Sequence, residues 1–166
     1  MAGLIDGLID ILCEQNELYT QLLEFSKEKK DMLIKNDIDS LQKINSSESI
    51  IVGKSQRLER SRISIMRDIA SVLNQSGDDL TVSELSALIE GQPEHKDLVI
   101  AGDSLRETVE DLKKSNDLNR VLIQNSLDYV EFSMNVMHSS VETAPSTYDN
   151  RADDIDNNRA FFDAKQ

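Results

Sequence analysis

Residues 4–32 read LIDGLIDILCEQNELYTQLLEFSKEKKDM, and this stretch decides the fold. Leu4, Leu8, Ile11, Leu18, Leu22, Phe25 and Met32 follow alternating steps of three and four, with Gln15 and Lys29 as the polar entries. Ile5, Ile9, Leu12, Tyr19, Leu23 and Leu33 repeat the period one residue on. Two adjacent stripes make a broad apolar face, which needs two neighbouring helices rather than one dimer partner. At about 1.5 Å per residue, thirty residues without proline make a rod of roughly 45 Å.

Lys35-Asn36-Asp37 breaks the pattern, and either Asn36 or Asp37 suits the cap of a second helix running to about Gln75. Its seam is Leu41, Ile44, Ile51, Leu58, Ile65, Ile69 and Val72, with Glu48, Ser55 and Arg62 in the intervening places, where polar groups weaken it. Ser46, Ser47, Ser49, Gly53 and Ser55 make its middle small and polar. We read that middle as exposed, with close backbone approach as the alternative. Gly77-Asp78-Asp79 signals a turn, and Thr81 with Glu84 spells a capping box opening a short helix that ends before Gly91. Pro93 precedes a last long helix over Glu94 to Ser139, carried by Leu98, Leu105, Val109, Leu112, Leu122, Tyr129, Phe132 and Val136. Gly102 would fray its start and make Asp103 an alternative cap. No alternation of period two marks a strand. The expected fold is all-α: an elongated antiparallel bundle of three long helices plus one short helix over residues 1–141, with a flexible acidic C-terminal tail over 142–166. Polar seam entries leave some apolar surface open.

The 166 residues suit one domain. Eighteen Lys and Arg against 31 Asp and Glu give a net charge of -13, the wrong sign for nucleic acid or an anionic membrane surface. No apolar run approaches the roughly 18 residues of a spanning helix. The single Cys13 cannot form an internal disulfide, and the N-terminus has no cationic region before its apolar residues, so we expect a cytoplasmic protein. His95 and His138 stand in no metal-ligand spacing, and the six glycines build no phosphate-cradling loop. Neither an enzyme nor a cofactor is expected. Cys13, at the edge of the stripe, reads as a small core hydrophobe. His95 and His138 read as helix-end residues, and Met134 and Met137 as packing residues or adaptable contacts. Asn116 and Asn119, poor helix formers, stand three apart where the last apolar stripe skips, and Asn125 follows in the next turns. That usage suggests register or partner recognition, with an exposed polar face as the alternative. Tyr148, Ile155, Phe161 and Phe162 are apolar groups in a segment too polar to build its own core.

The pattern Asn116-x-x-Asn119-x-x-Leu122-Ile123-x-x-Ser126-Leu127-x-Tyr129 resembles the last-helix signature of the FlgN family of flagellar export chaperones. Leu33-Ile34 before Asn36-Asp37-Ile38, then Leu41, Ile44, Glu48 and Leu58-Glu59-x-x-Arg62, is similar to the family's first two helices. Pro145-Ser-Thr-Tyr148 resembles the opening of its tail, although a glycine often found four residues after that tyrosine is Ala152 here. The resemblance implies a chaperone that binds the C-terminal helical segments of the hook-filament junction proteins FlgK and FlgL. It would prevent their premature assembly and deliver them to the cytoplasmic domain of the export-gate protein FlhA, with Tyr148 as the docking residue.

On that reading a partner's amphipathic helix lays its apolar face against the last helix and the tail. The expected cargo residues are Asn116, Asn119, Leu122, Val130, Met134, Met137, Phe161 and Phe162. The free protein is expected to be a monomer or weak dimer. The alternative is a structural or adaptor coiled-coil protein that self-associates through its helical seams.

Overall fold

The structure, a computed structural model, describes residues 1–74 and 80–142, with side chains described to residue 139. The order is α1 (Ala2–Lys35), α2 (Ile38–Val72), α3 (Val82–Leu88) and α4 (His95–Glu142). The fold is all-α, three long helices and a short one, and the expected boundaries lie within three residues of the observed ones. Among the described residues no helix is long and apolar enough to cross a membrane. The turn at Gly77-Asp78-Asp79 and the tail beyond Glu142 lie outside the described residues.

The α1–α2 turn uses both candidate residues. Asn36 adopts the left-handed conformation (φ 55°), its N–H reaching Leu33 O at 3.3 Å while Asp37 N–H reaches Met32 O at 3.0 Å. That pair of bonds closes the last carbonyls of α1. The Asp37 carboxylate then accepts from Ser40 N at 3.1 Å and caps α2. The capping box of α3 forms as expected, with Glu84 N donating to Thr81 Oγ1 at 3.2 Å and Thr81 N to Glu84 Oε2 at 2.8 Å. Gly91, at φ 92°, turns the chain towards α4 where a side chain would be strained. Gly102 does not fray α4: the helix runs unbroken across it from His95.

Two compact units divide the chain, Met1–Tyr129 and Val130–Gln166. In the first, one core joins all four helices: Ile5, Leu8 and Leu12 of α1, Met66 and Ile69 of α2, Leu85 of α3 with Ile89 just past its end, and Leu98 and Ala101 of α4. Contacts of Gln15 with Glu59 and Lys29 with Glu48 run in opposite directions along α1 and α2, so these two form an antiparallel hairpin. Contacts of Asn16 with Ser104 and Ser26 with Ser115 run in the same direction, so α4 lies parallel to α1 within this unit. Each fully buried apolar residue of about Leu size contributes roughly 1.5–3 kcal/mol.

The buried line of α1 takes members from both apolar stripes: Ile5, Leu8, Leu12, Gln15, Leu22 and Ser26. This choice turns Cys13 outward. It is exposed, not a core residue, because the core faces its neighbour Leu12. Val72 is likewise 55 % exposed rather than in the seam, because Ile69, Ala70 and Leu73 beside it take the inward positions. Ser46, Ser47 and Ser49 are exposed as expected, while Ser55 is buried.

Candidate functional site

The polar residues of the seams find one another. Lys29 pairs with Glu48 across the hairpin. Gln15, 1 % exposed, donates from Nε2 to Glu59 Oε2 at 3.0 Å, and Arg62 grips the same carboxylate at 2.6 and 2.9 Å. The hydrogen bond from Arg62 pulls the Glu59 carboxyl below its ordinary range; partial burial opposes this, and Gln15 adds to it. Glu59 in turn raises the Arg62 guanidinium, against its own partial burial. Residues that weaken each seam when read singly become complementary when the helices meet.

A third polar cluster ties α1 to α4. Ser26 is fully buried, its hydroxyl 2.8 Å from Asn116 Oδ1 and 2.8 Å from Ser115 Oγ. Asn119 Nδ2 donates to Ser26 O at 2.7 Å and to Ser26 Oγ at 3.1 Å. A hydroxyl with one proton and two lone pairs accommodates all three neighbours. Asn119 is 5 % exposed, and its Oδ1 is buried with no hydrogen-bond partner. Of the two asparagines expected to meet cargo, Asn119 is therefore consumed by the interior. Asn116 is exposed as a residue, but its carbonyl oxygen serves Ser26. Asn119 thus makes a buried contact between α1 and α4, while Asn116 and Asn125 are exposed. Ser26 escaped sequence reading because it looks like an interruption. Its spacing from Leu12, Gln15 and Leu22 was the available signal.

The apolar residues of α4 divide by unit. In the first, Leu122 is half-buried, while Leu118, Val121, Ile123, Leu127 and Tyr129 are exposed. In the second, residues 130–139 are all exposed except half-buried Ser133. Val130, Met134 and Met137 stand four and three residues apart, on one helical face, at 53, 52 and 63 % exposure. Met134 and Met137 are thus surface groups, and Tyr129, Phe132 and Val136, which sequence periodicity placed in a seam, are exposed at 70, 65 and 47 %. No glycine or proline follows Gly102 before residue 142, so nothing in the composition of this stretch interrupts α4. Tyr148, Phe161 and Phe162 lie outside the described residues.

His95 opens α4, and its Nδ1 lies 2.9 Å from Ser86 O, which docks α3 on the start of α4. Among the described residues no cluster of His, Cys, Asp and Glu could hold a metal ion.

Comparison with known proteins gives this surface a context. The family model described as FlgN protein matches residues 1–153. The chain belongs to the FlgN family. A crystal structure of a Pseudomonas aeruginosa protein, assigned there as a flagella synthesis protein FlgN, is similar with a TM-score of 0.60 and 22 % identity. The match covers 72 % of this chain and 88 % of that one. At that identity the likeness speaks for the fold: the FlgN architecture of long helices is shared. No curated protein matches the sequence.

Proposed function

We propose that this FlgN-family protein is a cytoplasmic flagellar export chaperone that works by binding rather than catalysis. It holds the C-terminal helices of FlgK and FlgL, prevents their premature assembly, and brings them to the cytoplasmic domain of FlhA. The observation that carries this reading is the exposed face of Val130, Met134 and Met137 in the second unit. A helix that spends aliphatic side chains on solvent is built to receive an apolar partner. Leu122 and Asn116 in the first unit, and Phe161 and Phe162 in the tail, extend the proposed cargo set, and Tyr148 is the proposed docking residue. Asn119 leaves that set because its amide is committed to Ser26. We also retain the division into a helical part over 1–141 and a recognition tail over 142–166.

Val130, Met134 and Met137 are each about half exposed, so a partner can remove about half of the roughly 1.5–3 kcal/mol that full burial is worth. Three such residues contribute about 3 kcal/mol, or about two orders of magnitude in affinity. Calorimetric titration with C-terminal segments of FlgK and FlgL tests the proposal. One-to-one binding is expected, weakened about a hundredfold by V130S/M134S/M137S and weakened separately by F161A/F162A. Absence of binding to every segment by a folded chain would overturn it.

A further inference from the structure

Within the first unit a groove of about 440 Å³ runs between α1 and α4, far along the sequence from the proposed cargo face. Ile9, Ala101 and Ile100 form its apolar floor and wall, Ile100 being 56 % exposed, and Glu17 and Asp97 stand on its rim. Neither carboxylate has an ion-pair partner among the described residues. The surrounding α1 surface has the same sign: residues 1–26 hold Asp6, Asp10, Glu14, Glu17 and Glu24, all exposed, and no lysine or arginine.

We propose that this groove docks a cationic amphipathic helix of a partner protein, its apolar face on Ile9 and Ile100 and its lysines or arginines on Glu17 and Asp97. The charge selects the occupant. A second copy of this chain carries a net charge of -13 and would bring like charge to an acidic rim. The chain's own residues 143–166 hold five aspartates against two arginines and one lysine, and are disfavoured for the same reason. Lys54 and Arg57 of α2 line a neighbouring pocket with Glu17 without forming an ion pair to it, and an apolar floor under carboxylates that hold no ion pair suits a segment that brings aliphatic and basic side chains together. The groove is built from residues of the first unit alone and does not depend on the cargo assignment.

Cys13, exposed and the only cysteine, lines the groove and reports its occupancy without further labelling sites. The probe is a synthetic peptide of leucine and lysine alone, with leucine on one helical face. The full chain is treated with a neutral maleimide, and the rate of Cys13 modification is followed with and without peptide. At ten times the dissociation constant, the free fraction, and with it the rate, should fall about tenfold. The pair E17K/D97K should abolish protection, whereas D68K/E110K, an equal charge change at exposed positions elsewhere, should retain it. A peptide with serine replacing leucine should not protect. Circular dichroism establishes that each variant is folded. Equal loss in both charge pairs, protection by the serine peptide, or no protection at all would overturn the proposal. So would protection that appears without peptide as protein concentration rises, which would assign the groove to a second copy.

Discussion

Replacing Asn119 separates what its amide contributes from what its volume contributes. In N119A two hydrogen bonds to Ser26 disappear, at 2.7 and 3.1 Å, a net loss of about 1–3 kcal/mol. The same change removes a buried Oδ1 that has no partner, and relief of that desolvation returns about 1–3 kcal/mol. The polar contributions cancel to within about 1 kcal/mol, and the void left at a position only 5 % exposed remains, costing about 1–2 kcal/mol. In N119L the void is filled, Ser26 Oγ keeps Ser115 and Asn116, and Ser26 O keeps its bond within α1. Leucine burial then makes N119L as stable as the native chain or more so, by up to about 2 kcal/mol. Urea unfolding followed by circular dichroism at a common m-value gives the ranking. A leucine variant as unstable as the alanine variant would refute the reasoning, because it would show that the amide is worth more than its packing and that Oδ1 is not a burden.

Glycine positions give a cleaner contrast. Gly53 lies inside α2 with nothing within 4 Å of a built Cβ, so G53A should stabilise by up to about 1 kcal/mol in the same urea assay. At Gly7 the Cβ would meet Ile65 Cδ1 at 2.9 Å, so the methyl must move and G7A should gain less. Glu59 has a folded pKa below its unfolded value. Its contribution is therefore complete above the unfolded pKa and is lost as pH falls through the folded one. The urea midpoint of the native chain should accordingly fall more steeply below about pH 4.5 than that of E59Q; parallel acid limbs would count against the Arg62 and Gln15 bonds. A chain ending at Val141 should unfold at the same urea concentration as the full chain, and a lower midpoint would show that residues 142–166 support the bundle.

Helix ends were legible because they are local. Asp37 and Thr81 announce themselves by the amides they can cap, and Pro93 by the bond it cannot make. Facing was legible only to within one residue. Two parallel stripes in α1 admit several core lines, and the line chosen depends on α2 and α4 arriving together, which is why Cys13 faces out and Ser26 in. Polar seam residues were visible, but apart from Arg62, which holds Glu59 three residues before it, their partners lay 19 to 93 residues away in sequence, beyond any periodic reading. In α4 the apolar period continues through Met137 although the described side chains there are exposed, because periodicity records that a face is apolar and not what covers it.

The pairing of Lys29 with Glu48 and of Gln15 with Glu59 also bears on how many ways the hairpin could close. Heptad-like apolar repeats are nearly indifferent to sliding one helix past the other by seven residues, about 10 Å. Slid one way, α2 would set Glu48 against Leu22 and Glu59 against Leu8; slid the other way, Glu59 would meet Leu22 and Lys29 would lose its carboxylate. Leu8 and Leu22 are 0 and 6 % exposed, so the first slide sets Glu48 in dry aliphatic surroundings without Lys29, while the other strips Glu59 of Gln15, although Arg62 travels with it on α2, and leaves Lys29 unpaired. Two ordinary-looking polar contacts thus leave one alignment out of three, and a nascent hairpin that closes in the wrong one is too costly to persist.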